Sequence, residues 1–470
     1  MSRALIHGLA IAGVATARAL SGRGYEVIAV DDDVSPERLR TADGLGIELI
    51  PVPTDDQLSS LVASCELVSP APGVPESHPL ITAALSSGVP VLSEIELAYR
   101  WEQDRAGGPR PMLAITGTDG KTTTTLMTVD ILRRAGVRTV DAGNTATPLV
   151  DAIERDVDAF VVECTSFRLA WTPRFRAEGA AWLNIAPDHL NWHRSMDSYE
   201  AAKARIFANQ RADDIAIGFA DDPAVMRRLS AAPGHHRTFG RSTGDYRLLD
   251  DELAGPRGAI APVAAMRRSL PHDVTNALAA SALVLETGLA DERAIAESLS
   301  SFRGPPHRLE EIGDWSGVSW FNDSKATTPH AAAAAIRAFE RVVLIAGGYD
   351  KGVDLSPMAG DRDRVAVLIA LGDTAPAVET AFAGVPEVYR AENLEAAVDL
   401  ARRHARAADT VLLSPGCASF DQYTNFEARG EHFRTLVLDA HTGVPADIGH
   451  DLDDSDTNRG GSGLNLGGSS

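Results

Sequence analysis

Cysteine is scarce. The 470 residues hold 3, at Cys65, Cys164 and Cys417, far apart in the chain. They build neither a disulfide framework nor a CxxC zinc site, so a reducing, cytoplasmic setting is expected. Long apolar runs are also missing. None approaches the roughly 18–20 residues that a membrane helix needs, and no membrane partner is expected. Basic residues are outnumbered, with 44 Lys+Arg against 65 Asp+Glu and a net charge of −21. Such a chain repels phosphate backbones, which argues against nucleic-acid binding by a basic surface. Any phosphate must be gripped locally, by loops, a few cations or a metal. After Arg3 the N-terminus has a leader-like Ala/Leu/Ile stretch ending near Ala15-Thr16-Ala17. His7, Gly8 and Gly13 interrupt it, and a strand–turn–helix–strand pattern runs through, so it reads as folded chain.

What the sequence does have is apolar content, 44% of residues, enough for sizeable cores. At about 150 residues per domain the length suggests about three domains. Short Val/Ile/Leu/Ala runs alternate with Ala-rich helical stretches, the pattern of an α/β fold with parallel sheets covered by helices on both faces. The clearest strands are Ala4–Ile6, Val27–Val30, Leu113–Thr116, Phe160–Val162, Val342–Ile345, Val365–Ala370 and Val411–Leu413. Two Pro/Gly linkers, Arg105–Pro111 and Arg303–Pro306, divide the chain into blocks 1–108, 109–303 and 304–444. The acidic, Gly/Ser-rich tail 445–470 cannot bury a core and is expected to be disordered.

The strongest motif is Thr116-Gly117-Thr118-Asp119-Gly120-Lys121-Thr122-Thr123, directly after a predicted strand. Glycines let backbone N–H groups wrap a phosphate at a helix N-terminus, where the dipole favours anions. Lys121 can reach the outer phosphates and the Thr122 hydroxyl can ligate Mg²⁺. Ile115 stands where the strict P-loop pattern has its first glycine. The segment reads as a triphosphate site.

The first block opens with Ile6-His7-Gly8-Leu9-Ala10-Ile11-Ala12-Gly13, close to a dinucleotide fingerprint but with Ala10 at the second glycine position. Asp31 ends the second strand, where an acidic residue often meets a ribose or base, although a structural loop aspartate fits nearly as well. Glu163 follows a strand and can hold Mg²⁺, or simply end that strand at the surface. His189, beside Asp188, reads locally as a satisfied polar pair, and Lys203 as a solvated helix lysine. Asn276 starts a helix, as an N-cap or as a hydrogen-bonding group for a base. Arg308 follows the second linker and can reach a phosphate.

In the third block, Asn322-Asp323-Ser324-Lys325-Ala326-Thr327 ends a strand and opens a helix, and capping by one of its polar residues is expected. Gly347–Lys351 and Ser414–Gln422 both follow strands and should line one cleft. Cys417 has no identifiable partner base and reads as a small buried thiol.

Taken in order, Gly117–Thr123, Glu163, Asp188-His189, Lys203, Asn276, His307-Arg308, Asn322–Thr327 and Ser414–Phe426 resemble the Mur ligases, the ATP-dependent amino-acid ligases of peptidoglycan precursor synthesis. The segment Ser414–Gly430 most resembles the D-glutamate-adding branch. The resemblance implies a UDP-binding Rossmann-like domain, a central P-loop ATPase with a mostly parallel sheet, and a C-terminal Rossmann-like domain that binds the amino acid. It implies ATP contacts from Gly117, Thr118, Asp119, Gly120, Lys121, Thr122, Thr123, Asn276, Arg308, Asp323 and Lys325. Two Mg²⁺ ions would be held by Thr122, Glu163, His189 and a carbamylated Lys203, with Lys121, Glu163, His189 and Lys203 as the catalytic set. Gly8, Ile11, Asp31 and Asn144 would meet UDP-N-acetylmuramoyl-L-alanine. Thr327, Lys351, Ser419, Phe420 and Phe426 would surround D-glutamate.

This chain departs from the family pattern at Asp119, at Cys164-Thr165 and Arg168 (usually closer to Glu-Leu-Ser-Ser-Phe-Gln-Leu), at Asn191, and at Ala71, where serine is usual. Arg168 and Ala71 are therefore left without a substrate contact. The implied reaction phosphorylates the substrate carboxylate with ATP to an acyl phosphate, which the D-glutamate amine attacks, releasing ADP and phosphate. A monomer is expected. The competing readings are another Mur or folylpolyglutamate-type ligase, and a P-loop switch that hydrolyses ATP without ligation. A nicotinamide oxidoreductase would leave the Lys121 loop unexplained.

Overall fold

The computed structural model describes residues 2–32 and 34–442, so the tail 445–470 lies outside the described residues. Two compact units form, Met1–Pro305 and Pro306–Ser470, and the division falls inside the second predicted linker.

The first unit opens with a four-stranded parallel sheet of β1 (Arg3–His7), β2 (Glu26–Asp31), β3 (Glu48–Pro51) and β4 (Leu67–Pro70). Its order is β3-β2-β1-β4, so the chain reverses direction across the sheet between β1 and β4. A second parallel sheet follows, of β5 (Met112–Thr116), β6 (Thr139–Gly143), β7 (Ala159–Glu163), β8 (Gly179–Trp182), β9 (Ile215–Phe219) and β10 (His235–Phe239). Its order is β10-β9-β8-β5-β7-β6, which makes β5 central. All five β5 residues are buried, as a strand sandwiched between two helical layers requires. A small antiparallel sheet of β11 (Arg247–Leu249), β12 (Glu252–Gly255) and β13 (Gly258–Pro262) completes the unit.

Residues on either side of the Arg105–Pro111 linker share one core. Ala4, Ile6, Leu20 and Ile95 belong to the same apolar cluster as Ala114, Phe160, Val162 and Trp182. Continuous apolar burial across that linker makes blocks 1–108 and 109–303 pack as one unit.

The second unit holds a six-stranded sheet of β14 (Glu310–Trp315), β15 (Val318–Asn322), β16 (Val342–Gly347), β17 (Val365–Leu371), β18 (Glu387–Ala391) and β19 (Thr410–Leu413). The order is β14-β15-β19-β16-β17-β18; β14 pairs antiparallel with β15 and every other pairing is parallel. Every predicted strand is present, each one or two residues longer than expected. Among the described residues no helix is long and apolar enough to cross a membrane.

Candidate active site

Each of the three larger sheets reverses direction once, and the loops at those reversals carry the polar residues, as open α/β sheets dictate. At the end of β5, Gly117–Gly120 leads into the helix Lys121–Arg134. Gly120 has φ +81°, and a Cβ there would lie 2.6 Å from Asn276 Oδ1, so only glycine brings this loop against the helix that carries Asn276. That helix runs from Pro271 to Glu286 with Leu270 at its N-cap. Asn276 is therefore no N-cap. It lies in the second turn, buried, with its amide against the loop.

Asn184, just past β8, shapes the loop from the other side. Its Oδ1 accepts from the backbone N–H of Thr118 and of Asp119, each at 2.9 Å. The Thr118 hydroxyl is 3.1 Å from that of Tyr199, whose phenol burial pushes up to about 12. Lys121 Nζ donates to the carbonyls of Gly117 and Thr118, both at 2.8 Å. Thr122 is half-buried at the start of the helix.

Lys203 is not the solvated helix lysine its local sequence suggests. It is 1% exposed, and Nζ donates to Gly117 O at 2.7 Å. Burial, and then the charge of Lys121, push its amine well below the ordinary lysine range. Glu163 is not a surface residue either. It is 1% exposed at the end of β7; Oε1 accepts from Asn144 Nδ2 at 2.9 Å, while buried Oε2 has no hydrogen-bond partner. A buried carboxylate oxygen left unpaired is costly, and a cation beside it would relieve that cost. β7 is the neighbour of β5, with Glu163 in register with Ile115, so this oxygen belongs to the loop's end of the sheet.

Asn144 Oδ1 accepts from Arg168 Nη1 at 2.8 Å, and Arg168 Nε meets buried Glu94 at 3.4 Å. Arg168 thus fixes which way the Asn144 amide faces. Phe167 and Arg168 line a cavity with Ile6, Gly13, Ser69–Pro72 and Glu94, beside the glycine turn after β1. Ala71, unassigned from sequence, belongs to this lining. Gly13 fits only because it lacks a side chain, since a Cβ would fall 1.8 Å from Gly8 O. Gly8 is in the same turn at φ +86°. Asp31 is buried and engaged, accepting from Leu9 N–H at 3.3 Å and from the Arg38 guanidinium. Ile11 opens the following helix and is 70% exposed.

His189 is exposed at φ +55°, with Nε2 3.2 Å from Asp188 Oδ2. Desolvation lowers its pKa, opposed by Asp188. His193, absent from the predicted set, is buried between Ser166 Oγ at 2.9 Å and Glu76 Oε1 at 3.2 Å.

In the second unit, Asn322 ends β15 and Asp323–Thr327 turns without capping a helix. Thr328 caps the helix Pro329–Arg337 instead. Asp323 Oδ1 accepts from Leu309 N–H at 3.1 Å and Oδ2 from Ser414 Oγ at 2.8 Å, tying β15 to β19 and to the residue after Arg308. Lys325 Nζ lies 5.3 Å from the centre of the Phe426 ring. The loops after β16 and β19 meet, with Tyr349 N–H donating to Ala418 O. Ser419 is buried, Thr327 half-buried, and Lys351 and Phe420 are exposed. Cys417 is buried, and burial pushes its thiol up.

Arg429 was not foreseen. It is 2% exposed and donates to Ser324 Oγ, Ser324 O, Cys417 O and Ala418 O, so one guanidinium locks the turn after β15 to the loop after β19. Burial pulls it down to about 10. Nothing in the local pattern distinguishes it from the chain's other arginines.

A parallel sheet whose central strand ends in a glycine turn, a lysine and threonine hydroxyls, with a buried unpaired carboxylate on the next strand, defines a phosphate-loop α/β protein. Residues 115–284 match the Mur ligase middle domain, and residues 307–417 match the Mur ligase glutamate ligase domain. The chain is 40% identical over 453 residues to the UDP-N-acetylmuramoylalanine--D-glutamate ligase of Frankia casuarinae, covering 92% of this chain and 93% of that one. It is 37% identical over 462 residues to the enzyme of the same name from Streptomyces coelicolor, covering 92% and 97%. The chain belongs to the Mur ligase family and is an amide-bond-forming ligase. Solved structures share the fold. The UDP-N-acetylmuramate-alanine ligase of Thermotoga maritima superposes with a TM-score of 0.55 at 20% identity, covering 94% of this chain and 100% of that one. The MurF ligase of Thermotoga maritima, solved with ADP, superposes with a TM-score of 0.57 at 14% identity, covering 88% and 96%.

Proposed function

We propose that this enzyme adds D-glutamate to UDP-N-acetylmuramoyl-L-alanine, with hydrolysis of ATP to ADP and phosphate, in peptidoglycan precursor synthesis. The reading rests on similarity, over 92% of the chain, to relatives of that name. The single structural observation that supports it is the convergence of Lys121, Lys203, Asn184 and Asn276 on the Gly117–Gly120 loop. The three blocks are read as three functional regions: 1–108 for the nucleotide sugar, 109–303 for ATP and 304–444 for the amino acid.

A carboxylate is a poor acyl donor. Its oxygen attacks the γ-phosphorus of ATP, ADP leaves, and the acyl phosphate forms. The D-glutamate amine then attacks the acyl carbon and loses a proton, and phosphate departs with the bonding electrons of the acyl C–O bond. Backbone N–H groups at the loop's entry to the helix would receive the phosphates, those of Thr118 and Asp119 being held by Asn184 Oδ1, and Lys121 must exchange its two carbonyl partners for phosphate oxygens. Asn276, beside Gly120, would contact ATP, and the family resemblance assigns Arg308, Asp323 and Lys325 to the same ligand.

Thr122, Glu163 and His189, with Lys203 as its carbamate, are the residues that would hold Mg²⁺. The unpaired Glu163 Oε2 fits a hard cation. Bound there, the ions neutralise the charge that gathers as two anions approach. Lys203 suits carbamylation because its depressed pKa favours the neutral amine that adds carbon dioxide. Asn144 and the cavity by Gly8 and Gly13 would take the nucleotide sugar. Thr327, Lys351, Ser419, Phe420 and Phe426 would take D-glutamate, on the frame that Arg429 holds.

The test is phosphate release from ATP and Mg²⁺ with UDP-N-acetylmuramoyl-L-alanine, adding D-glutamate or L-glutamate in turn. Release that needs the nucleotide sugar and D-glutamate, with L-glutamate inert, is expected. Release indifferent to both would overturn the ligase reading in favour of a nucleotide-driven switch.

A further inference from the structure

At the C-terminal ends of β1 and β2, away from the phosphate loop, three metal-ligating side chains meet: His7, Asp32 and His78. One ligand atom from each lies within 4.8 Å of the other two, and this is the one such group among the described residues. His78 Nε2 is 3.1 Å from Asp32 Oδ2, and His7 Nε2 is 3.2 Å from the same oxygen. Neighbouring ligands of a tetrahedral zinc ion, with bonds near 2.0–2.2 Å, stand about 3.3–3.5 Å apart, so two of the three edges are close to formed.

The independent observation is the state of His7. Its side chain is 7% exposed; Nδ1 has no hydrogen-bond partner, and Nε2 has no polar contact besides the Asp32 carboxylate oxygen at 3.2 Å. Buried polar atoms without partners are uncommon and call for an explanation. Asp32, in contrast, is 58% exposed on its side chain, so the cluster opens to solvent on one side and an ion can enter.

We propose that His7, Asp32 and His78 form a binding site for a borderline divalent transition metal of the zinc class. Two imidazoles and one carboxylate suit Zn²⁺ or Co²⁺, whereas Mg²⁺ prefers an all-oxygen shell. With three protein ligands the fourth position stays open to water or a small ligand.

The site carries a built-in reporter. His78 is the N-cap of the helix Pro79–Ser87, and its Nδ1 accepts from Leu80 N–H at 3.1 Å. An imidazole that accepts at Nδ1 carries its proton on Nε2, the atom the metal needs. Loading therefore moves the proton to Nδ1 and breaks the cap, leaving Leu80 N–H free. Pro79 has no N–H of its own, so Leu80 is the first donor of that helix and its exchange reads the change directly.

The experiment uses the full chain, stripped of metal and held in millimolar Mg²⁺ so that all-oxygen sites are occupied. It is titrated with Co²⁺ and followed by visible absorption, and with Zn²⁺ followed by hydrogen–deuterium exchange. About one Co²⁺ per chain with tetrahedral absorption is expected, together with faster exchange at Leu80 on adding Zn²⁺. His7→Asn and Asp32→Asn should each weaken Co²⁺ binding by about tenfold or more, the scale on which loss of even an outer ligand is felt. Circular dichroism confirms folding, and His78→Gln, at the more accessible rim, serves if His7→Asn does not fold. Absence of Co²⁺ binding over Mg²⁺, binding unchanged in the Asn and Gln variants, or Leu80 exchange unaltered by Zn²⁺ would each overturn the assignment.

Discussion

Arg168→Gln replaces a buried guanidinium by a neutral amide and should be strongly destabilising. Arg168 and Glu94 have side chains 7% and 5% exposed, and they face each other at 3.4 Å. Besides Arg168, Glu94 has only backbone donors, the Val150 N–H at 2.9 Å and the Leu149 N–H, and neither carries a charge. Breaking a buried pair by removing one partner leaves an uncompensated charge and costs about 3–5 kcal/mol. In a unit of this size that corresponds to a melting point lower by roughly 5–10 °C.

The pH dependence follows from the sign of the Glu94 shift. Burial already raises its pKa, and Arg168 is the chief influence opposing that rise. In the variant the folded-state pKa climbs further above the unfolded value, so the folded chain holds a proton the unfolded chain has lost. Stability then falls as pH rises through that window, and the deficit against the parent should be larger at pH 8 than at pH 5. The assay is thermal unfolding of the parent, Arg168→Gln, Glu94→Gln and the double variant at both pH values. The double variant should recover most of the loss, because the orphaned charge is gone. A loss independent of pH, or a double variant no better than Arg168→Gln, would falsify the account of a buried charge pair.

Other substitutions test the proposed site. Glu163→Gln removes a buried unpaired carboxylate oxygen, so the melting point should hold or rise while ligation falls by roughly two orders of magnitude, as read by phosphate release. Gly120→Ala forces a Cβ to 2.6 Å from Asn276 Oδ1 at φ +81°. A strain of about 1–2 kcal/mol should lower kcat/KM for ATP by roughly tenfold, measured at saturating nucleotide sugar and D-glutamate. Arg429→Met removes the clamp between the Ser324 turn and the Cys417 loop, and should raise KM for D-glutamate more than KM for ATP in steady-state titrations.

Most of the secondary structure was legible because buried parallel strands are short continuous runs of Val, Ile, Leu and Ala bounded by Gly, Ser or Asp. The phosphate loop was legible because its chemistry is local: glycines, a lysine and threonine within eight residues. Burial was not. Lys203 reads as a surface lysine on its own helix, and Glu163 as readily as a strand end, because what buries them comes from segments distant in sequence. The N-cap reading of Asn276 failed for a local reason. Pro271 at the first helical position starts that helix early, with Leu270 as cap and no side-chain bond to mark it.

The sequence by itself determined the α/β class, the order of the strands and the loops that end them, since periodicity and turn chemistry act over a few residues. It also carried the family resemblance, because the motifs keep their order along the whole chain. Tertiary structure alone decided which polar groups became buried and with whom: the Glu163 oxygen without a partner, the Arg168 bridge from Glu94 to Asn144, the Arg429 clamp, and the meeting of His7 with Asp32 and His78. Each of these depends on elements brought together by sheet order and helix packing. No local pattern encodes which side chain loses its water, yet that loss sets the charge and the free valence on which the chemistry depends.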